Sequence, residues 1–173
     1  MISRLALILV LLGSPAYAGG DPVKELGLQA LHEHAPDIVI EDFQGNTTKI
    51  SDHLGHPIVL HFWATWCTGC VQELPQLAAL AQVFGKDSIT FFAISIDERG
   101  KKMEIERFVG DLQPRLATWI PQSPAQAERY WAWGVPMTYF INAKGEIVAR
   151  GMGAKNWSKI PSTEWSTFFQ SLK

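Results

Sequence analysis

The feature that most constrains the fold is the stretch PIVLHFWATWCTGCVQEL at residues 57–74. Residues 57–64 are nearly all apolar, β-branched or aromatic, which is typical of a strand buried on both faces in a parallel or mixed sheet. The apolar residues that follow have helical spacing, at Val71, Leu74, Leu77, Ala78, Ala81 and Phe84. Cys67 and Cys70, the only cysteines in the chain, therefore lie where a buried strand turns into a helix.

A structural disulfide and a metal site are both weak explanations for this cysteine pair. A disulfide between residues three apart closes a very short loop, which restricts the unfolded chain little. A structural zinc site needs about four ligands, and all the histidines precede the cysteines: His32, His34, His53, His56 and His61. No metal site is predicted, although a thiolate pair with one histidine is a conceivable Cu(I) site.

Reversible redox chemistry is the explanation that the position of the pair favours. The first-turn N–H groups and the helix dipole favour a thiolate at Cys67, and the thiolate is the species that attacks a disulfide. Cys70 lies one turn into the helix, where it is more shielded and suited to resolve a mixed disulfide. A CxxC between strand and helix is typical of thioredoxin-like redox sites. The predicted redox group is the Cys67–Cys70 disulfide itself, with no other cofactor.

The start of the chain predicts export. Residues 1–18 have the pattern of a cleaved signal peptide, with a basic start, the apolar run 5–12 and a small-x-small end at 16–18. The apolar run is shorter than the ~20 residues that span a bilayer, so no stable membrane insertion is expected after cleavage. Residues 19–34 are assigned to a lead-in, either a short helix or irregular, and 35–173 to one domain.

The composition indicates a globular protein, and its charge argues against nucleic acid as a ligand. Hydrophobic residues make up 47% of the chain and charged residues 18%, which is typical of a globular domain. The net charge is −2, and no Lys/Arg run forms a basic stripe, so nucleic acid is not expected as a partner.

The order of the predicted elements indicates an α/β fold. Two short strands joined at Gly45–Asn46 are followed by a β-α-β-α segment, and then by a hairpin through 143–145 and a helix from about Ser162. This order predicts one mixed central sheet with helices on both faces.

The sequence resembles the TlpA/ResA type of exported, thioredoxin-fold thiol–disulfide oxidoreductases. Residues 35–67 are similar to the entry hairpin, first central strand and active-site turn of that family, and CVQELP matches its C-x-x-E-x-P motif. SIDE matches its second central strand, and GVPMTYFINAKGEIVARGMG matches its proline turn and final hairpin. The resemblance implies a thioredoxin-like fold with an N-terminal β-hairpin extension and a bacterial, periplasmic location.

The resemblance also implies roles for individual residues. Cys67 is similar to the attacking thiol and Cys70 to the resolving thiol of the family, and Glu73 to the glutamate that shuttles the proton of the buried cysteine. From its position alone, Glu73 can approach Cys70 one turn away, but an ordinary solvated helix residue is the favoured interpretation.

The substrate side of the site is also taken from the resemblance. Pro136 matches the family's cis-proline, which faces the cysteines, and Val135 would offer its backbone to an extended substrate. Trp66 is expected to border the reactive sulfur.

Two features depart from the family pattern, and a pair of tryptophans is also unusual. Thr68 and Gly69 lie between the cysteines, where the family often has proline in second place, and Gly69 should alter the reduction potential. His61 lies six residues before Cys67, where thioredoxins have an acid. It is either a neutral residue of the sheet or a modulator of the cysteine protons that titrates near neutral pH. Trp131 and Trp133 are either a docking rim or packed residues.

The function expected from the resemblance is the reduction of disulfides in extracytoplasmic proteins, with a membrane thiol transporter of the DsbD/CcdA kind as electron donor. Apocytochrome c or copper-site cysteines would be typical substrates. The alternatives are an oxidase or isomerase with the same site, a Cu(I) carrier, and a peptide-binding module. A monomer is expected.

Overall fold

The computed structural model describes residues 21–85, 89–112 and 116–173. The predicted signal peptide lies outside these residues. Within them, no helix has both the length and the apolar character needed to cross a membrane.

The described residues form eight strands and five α-helices. The strands are β1 (Gln29–His34), β2 (Val39–Glu41), β3 (Thr47–Lys49), β4 (Ile58–Trp63), β5 (Thr90–Ser95), β6 (Thr118–Pro121), β7 (Met137–Ile141) and β8 (Glu146–Met152). The helices are α1 (Pro22–Glu25), α2 (Thr68–Phe84), α3 (Lys102–Gly110), α4 (Pro124–Glu128) and α5 (Ser162–Ser171). Short 3-10 turns lie at Ile50–His53, Arg99–Lys101 and Trp157–Lys159.

All eight strands belong to one mixed sheet, in the order β1-β8-β7-β4-β5-β6-β2-β3. The pairs β4–β5 and β5–β6 are parallel and the other pairs are antiparallel. β4 lies between β7 and β5, and all six of its residues are buried, as its apolar sequence predicted. The predicted fold class, a mixed sheet with flanking helices, is confirmed.

The β2–β3 hairpin extends one edge of the sheet and confirms the predicted N-terminal hairpin extension. β2 pairs with β3 and with β6. Gly45 has φ +91° in the connecting turn, a conformation that glycine adopts at little cost. The carboxylate of Asp42 accepts hydrogen bonds from the backbone N–H groups of Gln44 and Asn46 in the same turn.

Two strands were not predicted. No residue of β1 is buried, so its sequence lacks the alternation that identifies a half-buried strand. β1 pairs with β8, and the sheet therefore extends into the segment 19–34 that the sequence assigned to a lead-in. β6 has only four residues and ends at Pro121, which is too short to show a period.

The alternation of side chains along β4 decides what faces the helix that carries the cysteines. Val59 packs in one cluster with Leu77 of α2, and Trp63 packs with Cys70 in another. Phe62 packs on the opposite face of the sheet, with Tyr130. Because neighbouring side chains in a strand point to opposite faces, His61 lies on the α2 side.

An aromatic cluster packs α5 against the sheet. Phe140 of β7 is buried, and four aromatic rings lie with their centroids 5.3–6.4 Å from its own: Trp157, Trp165, Phe168 and Phe169. Such pairs add to the free energy gained by burying the ring area.

We expect Phe140→Ala to lower the free energy of unfolding by about 3–5 kcal/mol, because the cluster cannot collapse into the space left by the ring. Urea unfolding of the oxidised protein measures this. Met103→Ala on α3 is the control, because Met103 is largely exposed and should change the value by no more than about 0.5 kcal/mol. Equal effects of the two variants would contradict the assignment of this cluster to the core.

Candidate redox site

Cys67 and Cys70 are joined by a disulfide at the start of α2. Cys67 is the N-cap residue of α2. Its Sγ accepts a hydrogen bond from the backbone N–H of Cys70 at 3.2 Å. Cys67 is 9% exposed and Cys70 is 0% exposed. An incoming sulfur can therefore reach the disulfide only from the Cys67 side.

Asp97 fixes the turn that presents Cys67. Its carboxylate accepts hydrogen bonds from the backbone N–H and the hydroxyl of Thr65 at 2.9 and 2.7 Å, and from the hydroxyl of Ser95 at 2.7 Å. Asp97 follows β5, so these bonds join the end of β5 to the turn after β4. Sequence reasoning did not identify Asp97 as a site residue, although the SIDE motif that contains it was the available signal.

Pro136 lies beside the cysteine turn, and the Val135–Pro136 peptide bond is cis, as predicted. A Cβ placed on Gly69 would lie 3.8 Å from Cδ of Pro136. The carbonyl of Pro136 accepts a hydrogen bond from the N–H of Gly153 at 2.9 Å. Val135 is half-buried, and β7 begins directly after the proline.

The space at Gly69 is limited by Ala154. A Cβ on Gly69 would lie 3.1 Å from Cβ of Ala154, which is tighter than ordinary van der Waals contact. Thr68, the other residue between the cysteines, is exposed. The segment 153–157, which sequence reasoning did not assign to the site, therefore packs directly on the CxxC turn.

Large apolar side chains are exposed next to Cys67 and on the segment that precedes the cis-proline. Trp66 is 63% exposed, and Trp131 and Trp133 are 59% and 65% exposed. The rings of Trp131 and Trp133 pack together at 5.2 Å, and Trp131 has φ +54°. Trp133 also lines a cavity of about 230 Å³ that includes Asp97. These two tryptophans are therefore not core residues.

Glu73 lies on the buried face of α2 and is not solvated. Its Oε2 accepts hydrogen bonds from the backbone N–H of Lys155 at 2.7 Å and from Nε1–H of Trp157 at 2.9 Å. Burial raises the pKa of Glu73 to about 7, while the hydrogen bonds from Lys155 and Trp157 and the Lys155 charge act to lower it. Glu73 can therefore hold or release a proton near neutral pH, one helical turn from Cys70.

His61 is buried against Glu73. Its Nδ1 lies 2.9 Å from the hydroxyl of Thr138, and its Nε2 lies 3.6 Å from Oε1 of Glu73. Burial lowers the pKa of His61 to about 3, so the ring is neutral at neutral pH. Of the two alternatives for His61, the structure therefore favours the neutral residue of the sheet, because a charged imidazole would lose its hydration there.

No cluster of three or more His, Cys, Asp or Glu side chains is placed to hold a metal ion within the described ranges. Nε2 of His53, one of the histidines considered as a ligand, lies 2.8 Å from the hydroxyl of Thr48. The ring of His53 also packs edge-on against Phe92.

We expect Glu73 to make the stability of the oxidised protein fall as pH rises from about 4.5 to about 7. The folded state holds the carboxyl proton up to a pKa of about 7 and the unfolded chain releases it near 4.5. Its contribution is therefore complete below pH 4.5 and lost as pH rises through 7. The loss is on the order of 3 kcal/mol relative to Glu73→Gln.

Urea unfolding of both proteins from pH 4 to pH 8 measures this difference. Glu106→Gln is the matched control, because Glu106 is exposed on α3. Parallel stability profiles of wild type and Glu73→Gln would show that the carboxyl is not buried as described.

We also expect Gly69→Ala to be destabilised by contact with Ala154, and Ala154→Gly to restore stability in that background. Overpacking costs about 1–3 kcal/mol, whereas the intrinsic helix preference for alanine is the same in both backgrounds. The interaction energy of the double-mutant cycle, from urea unfolding, should be about 1 kcal/mol or more. Additive effects would exclude the contact.

Comparison with known proteins supports the interpretation of Cys67 and Cys70 as a thioredoxin-like redox site. Residues 31–150 match the model of the AhpC/TSA family. The thiol-disulfide oxidoreductase ResA of Geobacillus kaustophilus is 28% identical over 148 residues, covering 85% of this chain and 84% of that protein. ResA of Bacillus subtilis is 26% identical over 159 residues, covering 91% and 87%.

A solved structure shows the same fold. The thioredoxin domain of a thiol-disulfide oxidoreductase from Bacteroides vulgatus superposes with a TM-score of 0.67 at 21% identity, covering 84% of this chain and 99% of that chain. The resemblance to ResA-type proteins and the assignment as a thioredoxin-like thiol–disulfide oxidoreductase are thereby confirmed. The chain belongs to the AhpC/TSA family.

Proposed function

We propose that this protein is an extracytoplasmic reductase of protein disulfides that uses Cys67 as nucleophile and Cys70 as resolving thiol. The observation that carries the proposal is the difference in exposure of the two sulfurs, 9% for Cys67 and 0% for Cys70, above a buried glutamate. One sulfur can meet a protein substrate, and the other can meet only its neighbour.

In the first step, the thiolate of reduced Cys67 attacks one sulfur of the substrate disulfide. A Cys67–substrate disulfide forms, and the second substrate sulfur leaves as a thiolate that takes a proton from solvent. The position of Cys67 at the N-cap of α2 favours this negative charge before the attack.

In the second step, Cys70 gives its proton to Glu73 and its thiolate attacks Sγ of Cys67. The Cys67–Cys70 bond forms, the mixed disulfide breaks, and the first substrate sulfur leaves as a thiolate that is then protonated. Two electrons have passed to the substrate, and Glu73 can release its proton. A carboxyl with a pKa of about 7 suits this exchange at neutral pH.

The substrate would bind as an extended segment beside the cis-proline. The backbone of Val135, which precedes the cis-proline and β7, would pair with the backbone of that extended segment. The exposed rings of Trp66, Trp131 and Trp133 would border the segment and contact apolar side chains near the substrate cysteine.

The sequence of residues 1–18 supports a periplasmic location after export. Continued reduction in an oxidising compartment requires an electron donor, which we propose is a membrane thiol transporter of the DsbD/CcdA kind. The substrates in this proposal are cysteine pairs of extracytoplasmic proteins, such as those of apocytochrome c or a copper site. The protein is proposed to act as a monomer.

We expect Cys70→Ser to accumulate a mixed disulfide with its substrate, because the resolving thiol is missing. Trapped partners would be separated on a non-reducing gel and identified by mass spectrometry. Cys67→Ser is the matched control and should trap nothing, since Cys70 is fully buried. Equal trapping by both variants would contradict the assigned roles.

The reduction potential distinguishes a reductase from an oxidase or isomerase with the same cysteines. A value near that of thioredoxin, about −270 mV, is expected for a reductase, whereas a value near that of DsbA, about −120 mV, would reverse the proposed direction. Equilibration with glutathione or dithiothreitol buffers, followed by thiol labelling, measures it.

A further inference from the structure

Two buried polar atoms face each other between β4 and α2. Nε2 of His61 and Oε1 of Glu73 are both buried, and neither has a hydrogen-bond partner among the described residues. They lie 3.6 Å apart, slightly longer than a hydrogen bond. Because buried polar groups in proteins are nearly always paired, a small movement would make these two atoms each other's partner.

The hydrogen bonds of Glu73 decide which oxygen can hold its proton. Two N–H donors, from Lys155 and Trp157, point at Oε2. These donors occupy its acceptor positions, so a proton on this carboxyl belongs on Oε1. Oε1 is the oxygen that faces His61.

The second ring nitrogen allows His61 to match either state of the carboxyl. Nδ1 lies 2.9 Å from the hydroxyl of Thr138, and a hydroxyl group can donate or accept. When the hydroxyl donates to Nδ1, Nε2 carries the hydrogen. When Nδ1–H donates to the hydroxyl, Nε2 presents its lone pair. The imidazole is neutral in both tautomers.

We propose that His61 is a positioning residue for the Glu73 proton: its Nε2–H donates to Oε1 of the ionised carboxylate, and its Nε2 lone pair accepts from Oε1–H of the protonated carboxyl. When the carboxyl ionises, the Oε1 proton passes to Nε2 and the Nδ1 proton leaves through the Thr138 hydroxyl, which turns to donate to Nδ1. One proton is released to solvent, and the ring stays neutral. The proposal rests on the proposed function, in which Glu73 exchanges a proton with Cys70. It identifies the residue that gives Oε1 of Glu73 a hydrogen-bond partner in both protonation states.

The surroundings of the pair favour this role over a permanent ion pair. The ring of His61 stays neutral because it is buried. The charged and titratable groups near the carboxyl are Lys155, whose charge favours ionisation of Glu73, and Cys70, which titrates only when reduced. A neutral partner that can both donate and accept adds no charge of its own. Glu73 can therefore change its protonation state without leaving a buried oxygen unpaired.

The first test uses the unmodified protein in its oxidised form. Nitrogen-15 NMR of the histidine ring, recorded from pH 5 to pH 9, reports which ring nitrogen carries hydrogen. Nε2 of His61 should change from lone-pair to N–H character as pH rises, with the same midpoint as the carbon-13 shift of the Glu73 carboxyl. Nitrogen shifts that stay constant through the Glu73 titration would overturn the proposal.

The second test uses two variants of His61. In His61→Leu both states of the carboxyl lose their partner at Oε1, and the ionised state loses the stronger, charge-assisted bond. The pKa of Glu73 should therefore rise by about one pH unit, a tenfold change in its protonation equilibrium. In His61→Gln the amide can donate and accept, and the pKa should return toward the wild-type value. An unchanged Glu73 pKa in His61→Leu would contradict the proposal.

These measurements require no substrate, so their failure is distinct from failure of the proposed function. Loss of the Cys70→Ser trapping signal would remove the function and leave the His61–Glu73 pair in place. Normal trapping with a His61 ring insensitive to Glu73 would remove the pair alone.

Discussion

The site depends on two hydrogen bonds to one oxygen of a buried carboxyl group. Oε2 of Glu73, on the cysteine helix α2, accepts from the backbone of Lys155 and from the indole of Trp157. Trp157 belongs to the aromatic cluster that packs α5 on the sheet. The redox helix, the loop after β8 and the C-terminal helix are therefore joined at one point. A buried carboxyl left without these donors would cost several kcal/mol, so the loop and the helix hold each other in place.

The parts of this arrangement that could be predicted are those encoded locally. A run of buried residues identified β4, helical spacing identified α2, and the position of Cys67 and Cys70 between them identified the redox centre. The cis bond before Pro136 followed from the resemblance to a known family. β1 and β6 were missed because an exposed edge strand and a strand of four residues carry no periodic signal.

The contacts that tune the site could not be read from local patterns, since they join residues far apart in the chain. Glu73 and Trp157 are separated by 84 residues, and His61 and Thr138 by 77. For His61 the buried strand indicated a neutral residue of the sheet, and its burial and contact with Thr138 agree with that alternative. The position of Glu73 beside its other ring nitrogen was not evident from the sequence.

The close approach of Gly69 to Ala154 has a consequence for how such sites diverge. The two residues between the cysteines are often treated as an exchangeable dipeptide, but here a side chain on the second of them would meet the loop that supplies the Lys155 N–H to Glu73. A bulkier residue at position 69 would displace that loop and so alter the hydrogen bond from the Lys155 N–H to Glu73. The dipeptide and the loop after β8 form one steric unit, and grafting the dipeptide of a relative onto this chain calls for the matching residue at position 154.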